Sequence, residues 1–239
     1  MTKTALLLTA GKATRLGELR NQWAKACVPV AGTSPLAFLL PRLKLAGITD
    51  VWLNLHWKPE QVREVAETHA HGLQLHFLEE PELLGTGGTL LEVSHRWGAV
   101  PDLVINAKIF TDYNCADLLL EPPSTLVLHT KSSLETFGGF QVDEHQRLLA
   151  LRPKGPPAYE PHAGVFTGIC RPALSWVEQL QQYQAKWPTE LLCLVRHAVL
   201  PLMEQNHAPR GLLHSGFWCE ISTQKRIKKA ADMIKSKIY

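Results

Sequence analysis

Nothing in this sequence pairs cysteines at short spacing. Cys27, Cys115, Cys170, Cys193 and Cys219 stand far apart with no C-x-x-C, and an odd number suits no disulfide framework. A reducing cytoplasm is the expected setting. Long apolar runs are missing too: the opening run Ala5 to Leu8 is too short for a signal h-region, and no stretch approaches the roughly 20 residues of a membrane span. A membrane partner is therefore not expected. An excess of one charge sign is lacking as well, because 25 Lys and Arg face 22 Asp and Glu for a formal charge of +3. That balance gives no global electrostatic case for nucleic acid. The basic run Lys225, Arg226, Lys228, Lys229, Lys235 and Lys237 has no interleaved aromatics and reads as a solvated helix face that complements the macrodipole. His69, His71 and His76 lack partners at metal-ligand spacing, which leaves no zinc site. Internal repeats and low-complexity tracts are absent.

What is present is a chain of 239 residues with 45% hydrophobic content, enough for one sizeable core and a single α/β domain over 1–239. Thr4 to Leu8 reads as a short buried strand. Ser34 caps a helix started by Pro35, with Leu36, Leu39, Leu40, Leu43 and Leu45 on its apolar face and Gly47 at its end. Val51 to Leu55 reads as a strand, Pro59 to His71 as a helix, and Leu73 to Leu78 as an alternating strand. This β-α-β-α-β order predicts a parallel, doubly wound sheet with its ligand site at the carboxyl ends of the strands. Leu103 to Asn106, Ser124 to Thr130, Phe137 to Val142, Gln146 to Leu151 and Gly164 to Ile169 read as further strands, so the later sheet is expected to be mixed. Thr189 to Gln205 reads as a helix with Pro201 late within it, and a helix through Arg226, Ala230 and Ile234 closes the chain.

Two glycine-bearing loops stand out. The first, Leu8-Thr9-Ala10-Gly11-Lys12-Ala13-Thr14-Arg15-Leu16, follows the first strand. Its small residues let backbone N–H groups approach an anion, and Lys12, Arg15 and Lys25 bring positive charge. The second, Leu84-Gly85-Thr86-Gly87-Gly88-Thr89, leads into a helical pattern. On its own it is as well explained by a helix cap.

The first loop, with Lys25 and Val28-Pro29-Val30, resembles the signature G-x-G-T-R-[LM]-x-P-[LM]-T-x-x-x-P-K-P-[LM]-x-P-V of the sugar-1-phosphate nucleotidyltransferases, or nucleotide-sugar pyrophosphorylases. Ala13 replaces the second glycine, Glu18 and Ala24 replace prolines, and Arg20 stands where threonine is usual. The second loop resembles the family's L-G-T-[GA]-G-A, Asn106-Ala107-Lys108 its N-A-D, Arg152-Pro153-Lys154 its E-K-P turn, and Trp218-Cys219-Glu220-Ile221-Ser222-Thr223 its W-x-D-[IV]-G-T. The likeness spans nearly the whole chain in a short form without C-terminal β-helix repeats, as in mannose-1-phosphate guanylyltransferases and N-acetylmuramate-1-phosphate uridylyltransferases.

The resemblance implies a Rossmann-like, GT-A-like fold with a mixed, mostly parallel sheet flanked by helices. It implies a nucleotide-binding half, 1–115, and a sugar-phosphate-binding half, 116–239. The implied reaction transfers a nucleotidyl group from a nucleoside triphosphate to a sugar-1-phosphate, releasing pyrophosphate, in a monomer or homodimer. Arg15 and Lys25 take the catalytic roles, neutralising phosphate charge. Ala10, Gly11, Lys12, Ala13, Thr14, Glu80, Gly85, Gly87, Gly88 and Asn106 are the implied nucleotide contacts, and Arg152, Thr167 and Gly168 the sugar-phosphate contacts. The family's Mg²⁺ is held by two aspartates whose places are taken here by Lys108 and Glu220. An ammonium cannot coordinate Mg²⁺, so Glu220 and the nearby Asp112 are the remaining candidate ligands. The alternative is a catalytically impaired paralogue that binds nucleotide or nucleotide sugar without turnover.

Overall fold

Strand β1, Thr4–Leu8, is apolar after its first residue and almost wholly buried. Strand β2, Asp50–Leu55, pairs with it in parallel, and β3, Gln74–Glu79, pairs in parallel with β2. Parallel neighbours need crossovers, and helices Pro35–Leu45 and Pro59–Thr68 supply them. Ser34 caps the first, its hydroxyl accepting from the Ala37 N–H at 3.3 Å. The second stops at Thr68 rather than His71, because His71 adopts a left-handed φ of 49° and with Gly72 turns the chain into β3. His76 is a structural group: its Nε2 lies 2.8 Å from Asp50 Oδ1 and its ring stacks on Trp52.

The computed structural model describes residues 2–155 and 162–236. Packing divides it into two units, each discontinuous in sequence. The first takes 1–83, 105–116 and 217–239; the second takes 84–104 and 117–216.

In the second unit, helix Gly85–Trp97 already includes the glycine-rich segment that reads from sequence as a loop. Strand β4, Leu103–Asn106, carries the chain back to the first unit, where β5, Ile109–Thr111, follows. The second unit then builds β6 (Thr125–His129), β7 (Gly139–Val142), β8 (Leu148–Arg152), β9 (Ala163–Arg171) and β10 (Arg210–His214). β6 is parallel to β10 and antiparallel to β9, while β7 is antiparallel to both β8 and β9. The expected mixed sheet with flanking helices is therefore in place.

Residues 134–137 form a short helix capped by Ser133, so β7 begins two residues later than expected from Phe137. Helix Leu174–Lys186, which the sequence reading left unassigned, buries Trp176, Val177 and Leu180. The helix expected over Thr189 to Gln205 is shorter. Leu192 donates to the Leu84 carbonyl at 3.1 Å and accepts from the Gly87 N–H at 2.8 Å, which takes its backbone out of any helix. A widened turn, Val195–Val199, precedes helix Leu200–Glu204, where Pro201 has no N–H to give the preceding turn.

Strand β11, Trp218–Glu220, returns to the first unit and pairs antiparallel with β5. Helix Gln224–Lys235 follows, capped by Thr223. Leu16, Val28, Val30, Phe110, Ile221 and Ala230 form a buried cluster that fixes the first loop, β5, β11 and this helix to one another.

Candidate functional site

Asn54, buried near the end of β2, holds the first loop by its backbone. Its Oδ1 accepts from the N–H groups of Thr9 at 2.6 Å and Ala10 at 3.2 Å, and its amide donates to Glu80 Oε1 at 2.9 Å. Glu80, expected among the nucleotide contacts, is only 3% exposed. It therefore supports the loop from behind instead of facing a ligand. Beyond Ala10 the chain turns through Ala13, which keeps the left-handed conformation of the missing glycine at φ 55°. That conformation costs an alanine roughly 1–2 kcal/mol, and burial of Ala13 and Leu16 in the cluster offsets it. Gly11, Lys12, Thr14 and Arg15 are left facing solvent. A Cβ on Gly11 would meet nothing within 4 Å, so the protein's own packing does not require its smallness.

Lys25 begins a single turn, Lys25–Cys27, that is pinned where the Ala24 N–H donates to Gln61 Oε1 at 2.8 Å. Burial lowers the Lys25 ammonium to about 8, with the charges of Lys108 and Arg15 pushing the same way. Lys108 is lowered to about 8 for the same reasons: burial first, then Arg15 and Arg226. Lys25, Lys108, Arg15 and Arg226 thus act on one another. A basic side chain that repels its neighbours marks a place suited to an anion.

Lys108 is aimed by the turn after β4, where its N–H donates to the Asn106 carbonyl at 2.8 Å. Its Nζ lies 3.3 Å from Glu220 Oε2. Glu220 Oε1 accepts from the Ser222 hydroxyl at 2.6 Å and from the Arg226 guanidinium. Arg226 also donates to Ser222 Oγ at 2.7 Å, so the expectation that it lies on a solvated helix face is corrected. A cation in the first turn of a helix opposes the macrodipole, and the Glu220 carboxylate compensates it. Lys237 of the same basic run lies outside the described residues.

The Mg²⁺ implied by the resemblance does not fit these residues. Both Glu220 oxygens are engaged by cationic or hydroxyl donors, and Lys108 would repel the ion. Asp112 does not replace the missing ligand. It sits past the far end of β5, whose three residues put it four residue steps, about 13 Å, from Lys108. Its Oδ1 accepts from the Phe217 N–H at 2.6 Å, beside a separate cavity of about 530 Å³ lined by Phe38, Arg42 and Thr111. Among the described residues no group of three or more His, Cys, Asp or Glu is placed to hold a metal.

Asn106 lies in the first unit, and the other remaining expected contacts lie in the second. A Cβ on Gly87 would sit 2.6 Å from Leu180 Cδ2, and one on Gly88 would sit 2.9 Å from Leu84 Cβ. Gly85, at φ 77°, would place its Cβ 2.5 Å from the Leu192 carbonyl oxygen. The chain's own packing thus accounts for the small size of all three. Thr167 is buried, its hydroxyl donating to the Val127 carbonyl at 2.8 Å and accepting from the Ile169 N–H at 3.2 Å. Gly168 takes φ 84° beside the register shift between β6 and β9. These two residues shape the sheet. The Arg152 guanidinium donates to the Gln141 side chain across the β7–β8 pair.

Sequence reasoning missed Asn54, Ser222 and Arg226 as site residues. An asparagine inside an otherwise apolar strand, Val51-Trp52-Leu53-Asn54-Leu55, was the available signal for the first.

A family profile described as Nucleotidyl transferase matches residues 4–154. Mannose-1-phosphate guanylyltransferase of Mycobacterium tuberculosis is 32% identical over 170 residues, 68% of this chain and 47% of that protein. The chain therefore spans under half the length of that relative. N-acetylmuramate alpha-1-phosphate uridylyltransferase of Neisseria meningitidis is 26% identical over 244 residues, 95% of this chain and 96% of that protein. In fold, the chain is similar to a putative glucose-1-phosphate thymidylyltransferase from Bacillus anthracis at a TM-score of 0.79, with 14% identity and coverage of 98% and 95% of the two chains.

Proposed function

The chain belongs to the nucleotidyl transferase family, and from that premise we propose that it binds a nucleoside triphosphate and a sugar-1-phosphate and transfers the nucleotidyl group between them. The observation that carries this reading is the pinned first loop with Arg15 exposed on it and Lys25 beside it, the Arg15 charge helping to lower the Lys25 ammonium. In this reaction an oxygen of the sugar phosphate forms a bond to the α-phosphorus, the bond from that phosphorus to the β-bridging oxygen breaks, and pyrophosphate leaves with the electron pair. Arg15 offers a planar fork to the β- and γ-phosphates, and Lys25 a single ammonium to the α-phosphate. Gly11, Lys12 and Thr14 supply open backbone along the same loop.

Small molecules are the proposed partners, and the proposed setting is the cytoplasm as a monomer or homodimer. Among the described residues no helix is long and apolar enough to cross a membrane. Because Glu220 is taken up by Lys108 and Arg226, a second reading is binding without turnover. Calorimetry with the four common nucleoside triphosphates, then pyrophosphate release with a panel of sugar-1-phosphates, separates the two. Arg15→Ala is expected to weaken triphosphate affinity by about 1.5–3 kcal/mol, the range for a hydrogen bond to a charged group. Equal binding by wild type and variant rejects the phosphate loop.

A further inference from the structure

Three departures from the family motif, at positions 108, 220 and 222, are one physical object. Lys108 Nζ lies 3.3 Å from Glu220 Oε2, Ser222 donates to Glu220 Oε1 at 2.6 Å, and Arg226 bonds to both Glu220 and Ser222. Each replacement makes sense only beside the others. An aspartate at 108 would face Glu220 as a second anion, and without Glu220 the cations Lys108 and Arg226 would lose the carboxylate they share. Ser222 is fully buried, and with no hydroxyl there Glu220 would lose a buried hydrogen bond.

We infer that Lys108, steadied by Glu220 and Arg226, is a protein-borne cation that lets this site take a polyphosphate chain without a divalent metal. The inference rests on the phosphate-loop reading and adds to it the form of the ligand, a metal-free polyphosphate. Lys108 and Arg226 share the Glu220 carboxylate, and the charge of Arg15 is felt at both Lys25 and Lys108, so positive charge predominates among these groups. Glu220 contacts Lys108 at 3.3 Å, and the Lys108 side chain remains 31% exposed. It has three donors in all, so others remain for phosphate oxygens. The mutual repulsion of Lys25, Lys108 and Arg15 is relieved when an anion arrives. A divalent cation arriving with the anion would add to that repulsion instead.

The test is calorimetric titration with inorganic tripolyphosphate, which has no base or sugar to confuse the result, in EDTA and again with excess Mg²⁺. Wild type is expected to bind in EDTA, with affinity unchanged or lowered by Mg²⁺. Lys108→Gln should weaken binding in EDTA at least tenfold, and Lys108→Arg should restore most of it, which a merely structural lysine would not predict. Lys108→Asp should bind only when Mg²⁺ is supplied. Near-ultraviolet circular dichroism checks that each variant is folded, since Arg226 and Ser222 still hold Glu220 in Lys108→Gln and Lys108→Arg. Wild-type binding that needs Mg²⁺, or an unchanged Lys108→Gln in EDTA, overturns the inference. If Arg15→Ala abolishes binding in those same cases, the phosphate loop survives and only the metal-free seat is lost. Absence of all tripolyphosphate and nucleoside triphosphate binding to wild type rejects both.

Discussion

At the scale of single residues, the balance of charge around Lys25 has a measurable proton signature. Burial, then Lys108 and Arg15, hold its ammonium at about 8 in the folded chain, whereas an unfolded chain keeps that proton to roughly 10.4. Folding therefore expels a proton between those values, and the unliganded fold gains stability as pH rises from about 8 toward 10. A bound polyphosphate has the opposite sign, because its charge favours the ammonium. Tripolyphosphate binding near pH 8.5 is expected to take up protons, with uptake vanishing below about pH 7. Calorimetry in two buffers of different ionisation enthalpy reads the uptake directly, and proton release would contradict the charge cluster. Arg15 and Lys25 were legible in the sequence because the motif fixes their spacing. The Lys108, Glu220 and Arg226 contacts were not. They join residues far apart in the chain, and a basic residue in a helix of lysines gives no sign that it turns inward.

Among elements, the segment leading into helix Gly85–Trp97 separates a letter from its reason. Glycine marks close backbone approach but does not say what approaches. Here it is the chain itself, with Leu192 and Leu180 against Gly85 and Gly87. Gly87→Ala is accordingly expected to destabilise the protein by about 1–3 kcal/mol, the usual penalty of overpacking. Thermal unfolding followed by circular dichroism measures it, and a variant as stable as wild type would reopen the nucleotide role. The strands Thr4–Leu8 and Asp50–Leu55 were legible because continuous apolar runs suit sheets buried on both faces. Helix Leu174–Lys186 was not, although Leu174, Val177 and Leu180 carry a spacing of three that suits a helical face. The helix expected from Thr189 ended up shorter because Leu192 bonds to Leu84 and Gly87, contacts that no local pattern encodes.

For the whole molecule, the five free cysteines report how well each unit closes. Burial raises the thiol of Cys27 to about 12 and that of Cys219 to about 11, and it raises Cys170 as well. Cys115 is buried, and only Cys193 is partly exposed. Native protein treated with a thiol-specific chromogenic disulfide is expected to release one equivalent quickly, from Cys193, and all five only after unfolding in guanidinium. Cys193→Ser should remove the fast phase. Fast reaction of Cys27 or Cys170 in native protein would contradict the packing of the unit that holds it.

The three-part makeup of the first unit also sets the order in which its charges meet. Arg15 and Lys25 come from its first stretch, Lys108 from its second, and Glu220, Ser222 and Arg226 from its last. A ribosome delivers these in that order, with most of the second unit made in between. Until the last stretch emerges, Lys108 has neither its carboxylate nor its companion guanidinium, so the site becomes electrically complete only once residues 220–226 have been made.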